Sequence, residues 1–382
     1  MTKPQWSLPP LDKILDESPP NDRQQKDDEQ RQVRLIEKTL ADFDLAAQVR
    51  NIHHGPRLSL FSLKPDANVQ ISKIKRVEPD LAVALSGALA GIEEPTAAYP
   101  YLKLIVENFR QPAVTLRQVI AADAFWKKEG ALKLGLGLNL FGLPAVIDLA
   151  ALPHLLIGGA TGSGKSVAIN AMIAGLLGSY PPTAVQLLLI DPAAVELQKY
   201  NGLPHLFQPV ITETGQVLVA LEAVSEEVER RYQEFSRRNV RDIAAYNQAA
   251  APTGRQPLPY LVVIIDNLLD LMMTAPRDLE TTLTRLAARA RAAGVHLILA
   301  SLRTNVAAIA GSIKANFSGR IAFKTADRTD SQLILDVGGA ETLLGQGDMY
   351  YKAPDAATLE RIQGVLASEA ELQRLVDFWT SQ

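Results

Sequence analysis

The chain has 382 residues, of which 47% are hydrophobic and 21% are charged, and its formal net charge is −3. This length allows two or three domains with a sizeable core. The net charge gives no overall sign of nucleic-acid binding, although a ring can carry its positive charge on a few pore loops. The chain has no cysteine, which excludes disulfides, zinc–thiolate sites and thiol catalysis.

The N-terminal sequence does not predict a secretory signal. Residues 1–25 are polar and lack the apolar core of a secretory signal. The longest apolar region, residues 134–147, is short and interrupted by glycine and proline, so we do not expect it to span a membrane. These features predict a soluble, cytoplasmic protein that does not itself insert into a membrane.

The first third of the chain predicts an arm followed by a small α+β domain. Residues 1–31 are rich in proline, glutamine and charged residues, which is typical of an extended arm. Apolar residues recur at helical spacing from about Gln32, and the segment "VRNIHHGPRLSLFSLKP" alternates as strands do. The segment 80–92 predicts a further helix. We expect this domain to span residues 32–128.

Residues 129–365 predict an α/β domain that begins with a hairpin, "LGLGLNLFGLPAVID". An amphipathic helix is predicted over 215–238, and residues 366–382 form a C-terminal helix. Helical stretches separate most of the short apolar runs, which indicates a mainly parallel sheet with helices on its faces. The predicted strands are residues 154–157, 186–190, 261–265, 296–300 and 320–323.

The segment "IGGATGSGKSV" matches a phosphate-binding loop, with a strand predicted before it and a helix after it. In such a loop the glycines let backbone amides face the phosphates, the lysine reaches the β and γ oxygens, and the serine ligates Mg²⁺. The helix that follows points its positive end at the anion. The predicted nucleotide-binding residues are Gly159, Ala160, Thr161, Gly162, Ser163, Gly164, Lys165, Ser166 and Val167.

A second apolar strand, in "LVVIIDN", ends at Asp266. An aspartate at the carboxyl end of such a strand holds Mg²⁺ through a water molecule in P-loop proteins. We therefore predict Ser166 and Asp266 as the metal-binding residues. The predicted cofactors are ATP and Mg²⁺.

Several segments together resemble the FtsK/SpoIIIE family of DNA translocases. They include "PHLLIGGATGSGKSVAINAMI", "LPYLVVIIDNLLDLMM", "ARAAGVHLILAS" and "IKANFSGRIAFK". The resemblance covers nearly the whole chain, but not the family's membrane-spanning N-terminus or its DNA-reading winged helix. It implies a RecA-like P-loop NTPase domain preceded by the small α+β domain. It also implies a hexameric ring around double-stranded DNA, active in chromosome partition and cell division.

The resemblance assigns roles to matching positions. Arg291 falls where the family supplies an arginine finger to the ATP of the neighbouring subunit. Arg303, Lys314 and Arg328 fall on or near loops that the family turns toward DNA in the pore, where a few phosphate contacts per subunit give sequence-independent binding. Glu196 matches a family acid near the nucleotide.

The departures from the family pattern fall mostly at positions that the family uses for ATP hydrolysis and DNA contact. Asn267 stands where the family has its catalytic glutamate, and an amide cannot accept a proton at neutral pH. Leu302 replaces a polar glutamine, Ala193 a lysine and Gln332 a pore arginine. The predicted catalytic set is therefore Asp266, Asn267 and Arg291, with Asn267 as a degenerate member.

Three functions follow as hypotheses. The leading one is a ring protein that binds ATP and double-stranded DNA with slow or lost ATP hydrolysis, as a homo-hexamer or in a mixed ring with an intact paralogue. The second is an active ATP-driven translocase, in which Asp270 or Glu196 substitutes for the missing acid. The third is a protein-export or conjugation ATPase of the wider FtsK-like group.

Overall fold

The structure is a computed structural model that describes residues 6–17, 25–96, 99–109, 111–250, 252, 254–274, 276–301, 311–354 and 356–382. Its contacts divide the chain into two units. The small unit is formed by the described residues of Glu17–Val114 and Leu138–Pro144. The large unit is formed by those of Met1–Asp16, Thr115–Gly137 and Ala145–Gln382.

Helices and strands follow one another singly or in runs of two or three along the described chain. The helices are α1 (Leu11–Ile14), α2 (Gln25–Asp42), α3 (Ile71–Arg76), α4 (Glu78–Ala84), α5 (Leu116–Ile120), α6 (Asp123–Lys127), α7 (Lys165–Ser179), α8 (Thr214–Arg238), α9 (Ile243–Ala250), α10 (Leu268–Thr274), α11 (Pro276–Ala290), α12 (Gly311–Asn316), α13 (Arg328–Leu335) and α14 (Glu369–Thr380). The strands are β1 (Ala47–His54), β2 (Leu58–Pro65), β3 (Leu89–Glu93), β4 (Leu102–Glu107), β5 (Val114–Thr115), β6 (Lys133–Asn139), β7 (Pro144–Asp148), β8 (Leu155–Gly158), β9 (Val185–Ile190), β10 (Tyr260–Asp266), β11 (Val295–Ser301), β12 (Gly319–Phe323), β13 (Asp348–Lys352) and β14 (Glu360–Leu366). Within the described residues, no helix combines the length and the apolar character that crossing a bilayer requires.

The small unit is an antiparallel sheet in the order β1-β2-β4-β3, with helices packed on one face. Side chains alternate along a strand, so every second residue of β2 and β4 faces the helices. The helix expected over residues 80–92 is wrong beyond Ala84. Ser86 (φ 56°) and Gly87 (φ 82°) adopt the left-handed conformation that ends a helix, and β3 follows. The core shared by sheet and helices contains Ile36, Leu40, Phe61, Leu63, Ile74, Leu81, Leu102, Leu104 and Val106.

The large unit is built on a mixed sheet of ten described strands. Five of them run parallel in the order β9-β10-β11-β8-β12, and these are the five strands that the sequence predicted. The parallel arrangement is therefore confirmed for the strands that carry the predicted site. Beyond β12, the strands β13 and β14 add antiparallel pairs, β6 and β7 continue that side of the sheet, and the short β5 pairs with β14.

Both faces of the parallel strands are covered, which explains their continuous apolar runs. On one face α7 and α14 pack over residues such as Ile157 and Ile264. On the other face α8 to α12 pack over residues such as Leu156 and Ile265. The helix predicted over 215–238 is confirmed as α8, whose buried stripe lies in this second layer.

Residues 6–16 pack on the large unit, whereas the sequence pattern placed them in an extended arm. Ile14 and Leu15 are buried, and the ring of Trp6 meets the ring of Trp379 edge-on at 6.1 Å between centroids. Arg374 of α14 donates from Nε to the Ile14 carbonyl at 2.7 Å. Residues 115–128, expected in the small domain, also group with the large unit by their contacts.

Candidate nucleotide-binding site

The parallel sheet brings the two predicted halves of the site to one edge. In the strand register, Ala300 of β11 pairs with Ile157 of β8 on one side and with Asp266 of β10 on the other. Neighbouring strands lie about 4.8 Å apart, so Asp266 stands roughly 10 Å from the start of the phosphate loop. Both β8 and β10 end here because parallel strands present their carboxyl ends at the same edge.

The loop between β8 and α7 has room for glycine only at two of its positions. Gly159 has φ 151°, and a Cβ there would lie 2.8 Å from Cβ of Phe323. Gly164 has φ 118°, and a Cβ there would lie 2.7 Å from the amide nitrogen of Gly347. The loop is therefore pressed against the ends of the neighbouring strands, which fixes its backbone before any ligand binds.

The loop and the helix after it fit an anion. Helix α7 begins at Lys165, so the amides of its first turn, including those of Ser166 and Val167, have no preceding helical carbonyl to bond. These free amides form the positive end of the helix dipole, which binds anions. The buried hydroxyl of Ser163 has no hydrogen-bond partner among the described residues. This donor set matches a phosphate chain.

Lys165 lies over the loop and is almost fully buried. Its ammonium donates to the carbonyls of Gly159 and Ala160, each at 2.8 Å. Burial lowers the pKa of Lys165 to about 8, while the charge of Asp266 acts in the opposite direction. A desolvated ammonium beside a helix N-terminus gives the strong local positive potential that a polyphosphate requires.

Asp266 is buried at the end of β10, within electrostatic range of three other acids. Burial and then the charge of Asp191 raise the pKa of Asp266 to about 6, with smaller contributions from Glu196 and Asp270, and Lys165 opposes the rise. No group of three or more metal-ligating side chains exists within the described ranges. Oxygen ligands from Ser166 and Asp266, completed by phosphate and water, suit Mg²⁺, which binds few protein ligands.

Asp191, which the sequence analysis did not single out, organises the loop after β9. Its buried carboxylate accepts backbone hydrogen bonds at 2.8 to 3.1 Å. Glu196, held on this loop, lies 3.5 Å from the amide of Asn170, which also donates to the Ser166 carbonyl at 2.9 Å. The signal in the sequence was an Asp-Pro pair directly after a buried strand. The amides that bond Asp191 belong to Ala194, Val195, Glu196 and Leu197.

Asn267 is buried beside Asp266, and both ends of its side-chain amide form hydrogen bonds. Its Oδ1 accepts from the amide of Leu269 at 3.1 Å, and its Nδ2 donates to Oδ2 of Asp270 at 3.3 Å. The side chain therefore connects the end of β10 to the first turn of α10. This link joins the position of the expected base to an exposed carboxylate.

Arg291 lies away from the phosphate loop of its own chain. Its Nη2 donates to the carbonyl of Ala151 at 2.7 Å, and these two residues precede the amino ends of β11 and β8. Gly159 and Asp266 stand at the opposite, carboxyl edge of the sheet. The exposed guanidinium is therefore not part of the site that its own chain forms.

The predicted DNA-binding residues have different environments. Lys314 pairs with Asp336 at 2.7 Å, and Arg320 and Lys352 bind the same carboxylate. Burial alone would raise the pKa of Asp336, but its bond to Lys314 and the charge of Arg320 lower it to about 2. Lys314 thus belongs to an ion-pair cluster.

Arg328, the first residue of α13, is exposed and forms no ion pair within the described ranges. Gln332 is exposed on the same helix, and Ala193 is exposed on the loop after β9. Arg303 and Leu302 lie outside the described residues.

Two family models match the chain. The FtsK/SpoIIIE family model matches residues 115–306, and the FtsK alpha domain model matches residues 8–103. The sequence is 42% identical to DNA translocase FtsK of Oceanobacillus iheyensis and 40% identical to DNA translocase SpoIIIE of Bacillus subtilis, with 99% of this chain covered in each case. It spans 49% of both relatives. It is 38% identical to DNA translocase FtsK of Haemophilus influenzae, of which it spans 76%.

Solved structures share the fold at low sequence identity. The pCW3 conjugation coupling protein TcpA, in a monomer form with ATPγS, aligns with a TM-score of 0.62 at 20% identity, over 91% of this chain and 99% of that one. The cytoplasmic domain of the type VII secretion ATPase EccC of Thermomonospora curvata aligns with a TM-score of 0.60 at 23% identity, over 69% of this chain and 34% of that one. The predicted RecA-like α/β fold with a small α+β domain is confirmed.

Proposed function

The chain belongs to the FtsK/SpoIIIE family, and we propose that it is an ATP-binding, double-stranded-DNA-binding ring subunit of that family whose ATP hydrolysis is slow. One observation carries the proposal: a complete phosphate loop stands beside Asp266, but the next residue is Asn267 instead of an acid. The loop supports nucleotide binding. The asparagine removes the group that the family resemblance places there as the catalytic base.

Nucleotide binding rests on the anion site at the N-terminus of α7. Lys165 and the first-turn amides would bind the β and γ phosphates, because they supply positive charge in a buried setting. Ser166 and Asp266 would hold Mg²⁺, which when bound neutralises charge on the β and γ oxygens. The raised pKa of Asp266, about 6, still leaves its carboxylate ionised at neutral pH.

Slow hydrolysis follows from what an amide can do. Asn267 can orient a water molecule by hydrogen bonding, but it cannot take a proton from that water. Loss of a general base costs about 10²–10⁴ in rate, which corresponds to roughly 3–5 kcal/mol of barrier. The resulting protein would bind ATP well and turn it over slowly.

The ring and the DNA are the parts of the proposal that rest most on the relatives. Arg291 is exposed at the edge opposite the phosphate loop of its own chain, which suits contact with the nucleotide of a neighbouring subunit in a homo-hexamer or a mixed ring. Arg328 is an exposed cation that suits a phosphate of DNA. Lys314, paired with Asp336, would help mainly by holding α12 in place.

Separate measurements of ATP binding and ATP turnover test the proposal. We expect the full chain to bind a non-hydrolysable ATP analogue, and Lys165→Ala to abolish that binding. Asn267→Glu should raise single-turnover hydrolysis by about 10²-fold or more with little change in analogue affinity. If the wild-type chain with long duplex DNA already hydrolyses ATP as fast as Asn267→Glu, the slow-hydrolysis proposal is wrong.

That contrary result would favour the second candidate, an active translocase, which is what the names of the relatives suggest.

Filter binding of duplex DNA over a salt series tests whether double-stranded DNA is the substrate. Phosphate contacts predict an affinity that falls steeply with salt concentration, because bound counterions are released. A chain that shows no salt-dependent duplex binding would not act on double-stranded DNA, and the third hypothesis, a protein-export or conjugation ATPase, would take its place.

A further inference from the structure

We infer that Asp270 serves as the base for the residual hydrolysis of ATP, held in place by Asn267. The inference rests on the proposed nucleotide-binding function and extends it. The relevant feature is one hydrogen bond, from Nδ2 of Asn267 to Oδ2 of Asp270 at 3.3 Å. The carboxylate of Asp270 therefore lies in direct contact with residue 267, the position at which the resemblance expects a glutamate.

The orientation of the Asn267 amide is set by the backbone. Its Oδ1 accepts from the amide of Leu269 at 3.1 Å, and only an oxygen can accept that bond. The nitrogen end must therefore face Asp270. Because Asn267 itself is buried, its side chain is fixed in this orientation and can hold the carboxylate of Asp270 in place.

Asp270 has the surroundings that a base needs. It lies in the first turn of α10 and is exposed, so water can reach it. Within the described ranges, no lysine or arginine pairs with its carboxylate, which leaves one oxygen free to accept a proton. Its charge also acts on Asp266, which places it in the same electrostatic neighbourhood as the predicted metal ligand.

Glu196 is the competing acid, and its geometry is less favourable. It is held on the loop after β9 and directed toward Asn170, 3.5 Å away. Asn170 in turn donates to the Ser166 carbonyl. This directs the Glu196 carboxylate toward α7, whereas Asp270 is hydrogen-bonded to Asn267 itself.

The chemical step balances without a further reactant. The oxygen of a water molecule attacks the γ-phosphorus, and one of its protons passes to the free carboxylate oxygen of Asp270. The bond between the γ-phosphorus and the bridging oxygen breaks, and its electron pair stays with the β-phosphate of ADP. The products are ADP and inorganic phosphate, and Asp270 then releases its proton to solvent.

A double-mutant cycle on the full chain tests the inference. The variants are Asp270→Asn, Asn267→Ala and the two together, with Asp278→Asn, an exposed acid of the next helix, as matched control. We expect Asp270→Asn to lower the single-turnover rate by about 10²-fold or more, since it removes the base. Affinity for a non-hydrolysable ATP analogue should stay within about twofold, because the rate effect acts on the chemical step and not on binding.

The interaction energy measured by the cycle shows whether Asn267 acts by holding Asp270 or whether the two residues act independently. If Asn267 acts only by holding Asp270, the double variant is as slow as Asp270→Asn alone. Restoring an acid next to Asp266 should also remove the need for Asp270. The pair Asn267→Glu with Asp270→Asn should therefore hydrolyse ATP as fast as Asn267→Glu.

Three results would overturn the inference. A rate for Asp270→Asn within about threefold of wild type would show that another group takes the proton. Additive losses in the double variant would show that Asn267 does not act through Asp270. A wild-type chain that binds the analogue but shows no hydrolysis would remove the residual activity while leaving the ATP-binding proposal intact.

Discussion

The carboxylate of Asp191 accepts a hydrogen bond from the amide of Glu196 at 2.8 Å, and three neighbouring amides bind the same two oxygens. Asp191 is thus the anchor of the loop that carries Glu196, whose carboxylate lies 3.5 Å from the side-chain amide of Asn170 in α7. It is also the charge that, after burial, contributes most to raising the pKa of Asp266. One buried side chain therefore both holds the loop after β9 and raises the pKa of Asp266.

We predict that Asp191→Ala destabilises the large unit by about 1–3 kcal/mol, because it removes the acceptor of four backbone amides, of which that of Leu197 lies in a buried bond. The shift in the midpoint of urea unfolding measures the change, provided that the dependence of the unfolding free energy on urea concentration is the same for both proteins. The affinity for an ATP analogue should also fall, since the loop that carries Glu196 is released. Glu222→Ala, at an exposed acid of α8, is the control and should change stability by less than about 0.5 kcal/mol. A stable Asp191→Ala variant would show that the loop is held by other contacts.

Two glycines of the phosphate loop form a matched pair. Gly162 has φ 73° and open space where a Cβ would lie, whereas Gly164 has φ 118° and the Gly347 nitrogen 2.7 Å from the place its Cβ would take. Gly162→Ala should cost about 1–2 kcal/mol from backbone strain alone. Gly164→Ala should cost more and should weaken analogue binding at least about tenfold, because backbone must move. Equal costs for the two variants would contradict this account of the loop.

Three buried histidines of the large unit make its stability depend on pH. Burial lowers the pKa of His154 and His205 to about 4 and that of His296 to about 3. His154 is fixed as a neutral ring, since its Nδ1 accepts from the Leu297 amide at 3.0 Å and its Nε2 meets the Ala287 carbonyl at 2.8 Å. The unfolded chain binds protons near pH 6.5, whereas the folded chain does not.

Stability should therefore fall as the pH drops from about 6.5 toward 4, by up to about 1.4 kcal/mol per histidine for each pH unit. Urea unfolding at pH 7.5 and 5.5 measures the loss. His205→Asn should reduce the slope by about one proton, because one of the three buried rings is removed. Equal stability at the two pH values would show that these rings take up protons in the folded state.

A buried ion pair supports the loop that lies against the phosphate loop. Arg361 binds Asp348 through two bonds, at 2.7 and 3.1 Å, and Asp348 also accepts from the Leu344 amide at 2.9 Å. Arg361→Met should cost about 3–5 kcal/mol, because it leaves a buried carboxylate uncompensated. Lys127→Ala, which breaks the exposed pair with Asp123, should cost less than about 1 kcal/mol. Similar urea midpoints for the two variants would rule out this role.

The local parts of the site could be predicted from the sequence. The glycine spacing before Lys165 and the apolar run before Asp266 are patterns of neighbouring residues, and the structure has a strand–loop–helix and a strand end at these places. The link from Asn267 to Asp270 could not be predicted, because it depends on side-chain rotamers at the start of α10. The prediction of a helix over residues 80–92 was wrong beyond Ala84 because a contact distant in sequence decides the structure there: the segment after Gly87 pairs with β4 as a strand.

The sequence by itself determined the chain order of the five parallel strands and the chemistry of the phosphate loop, since both follow from periodicity and from residues adjacent in the chain. Only the tertiary structure decided which distant groups share the site. Parallel pairing of β8, β11 and β10 brings Asp266 to the loop, and the folded turn after β9 brings in Asp191. It also placed Arg291 at the opposite edge, because strand direction sets which end of each strand meets the ligand.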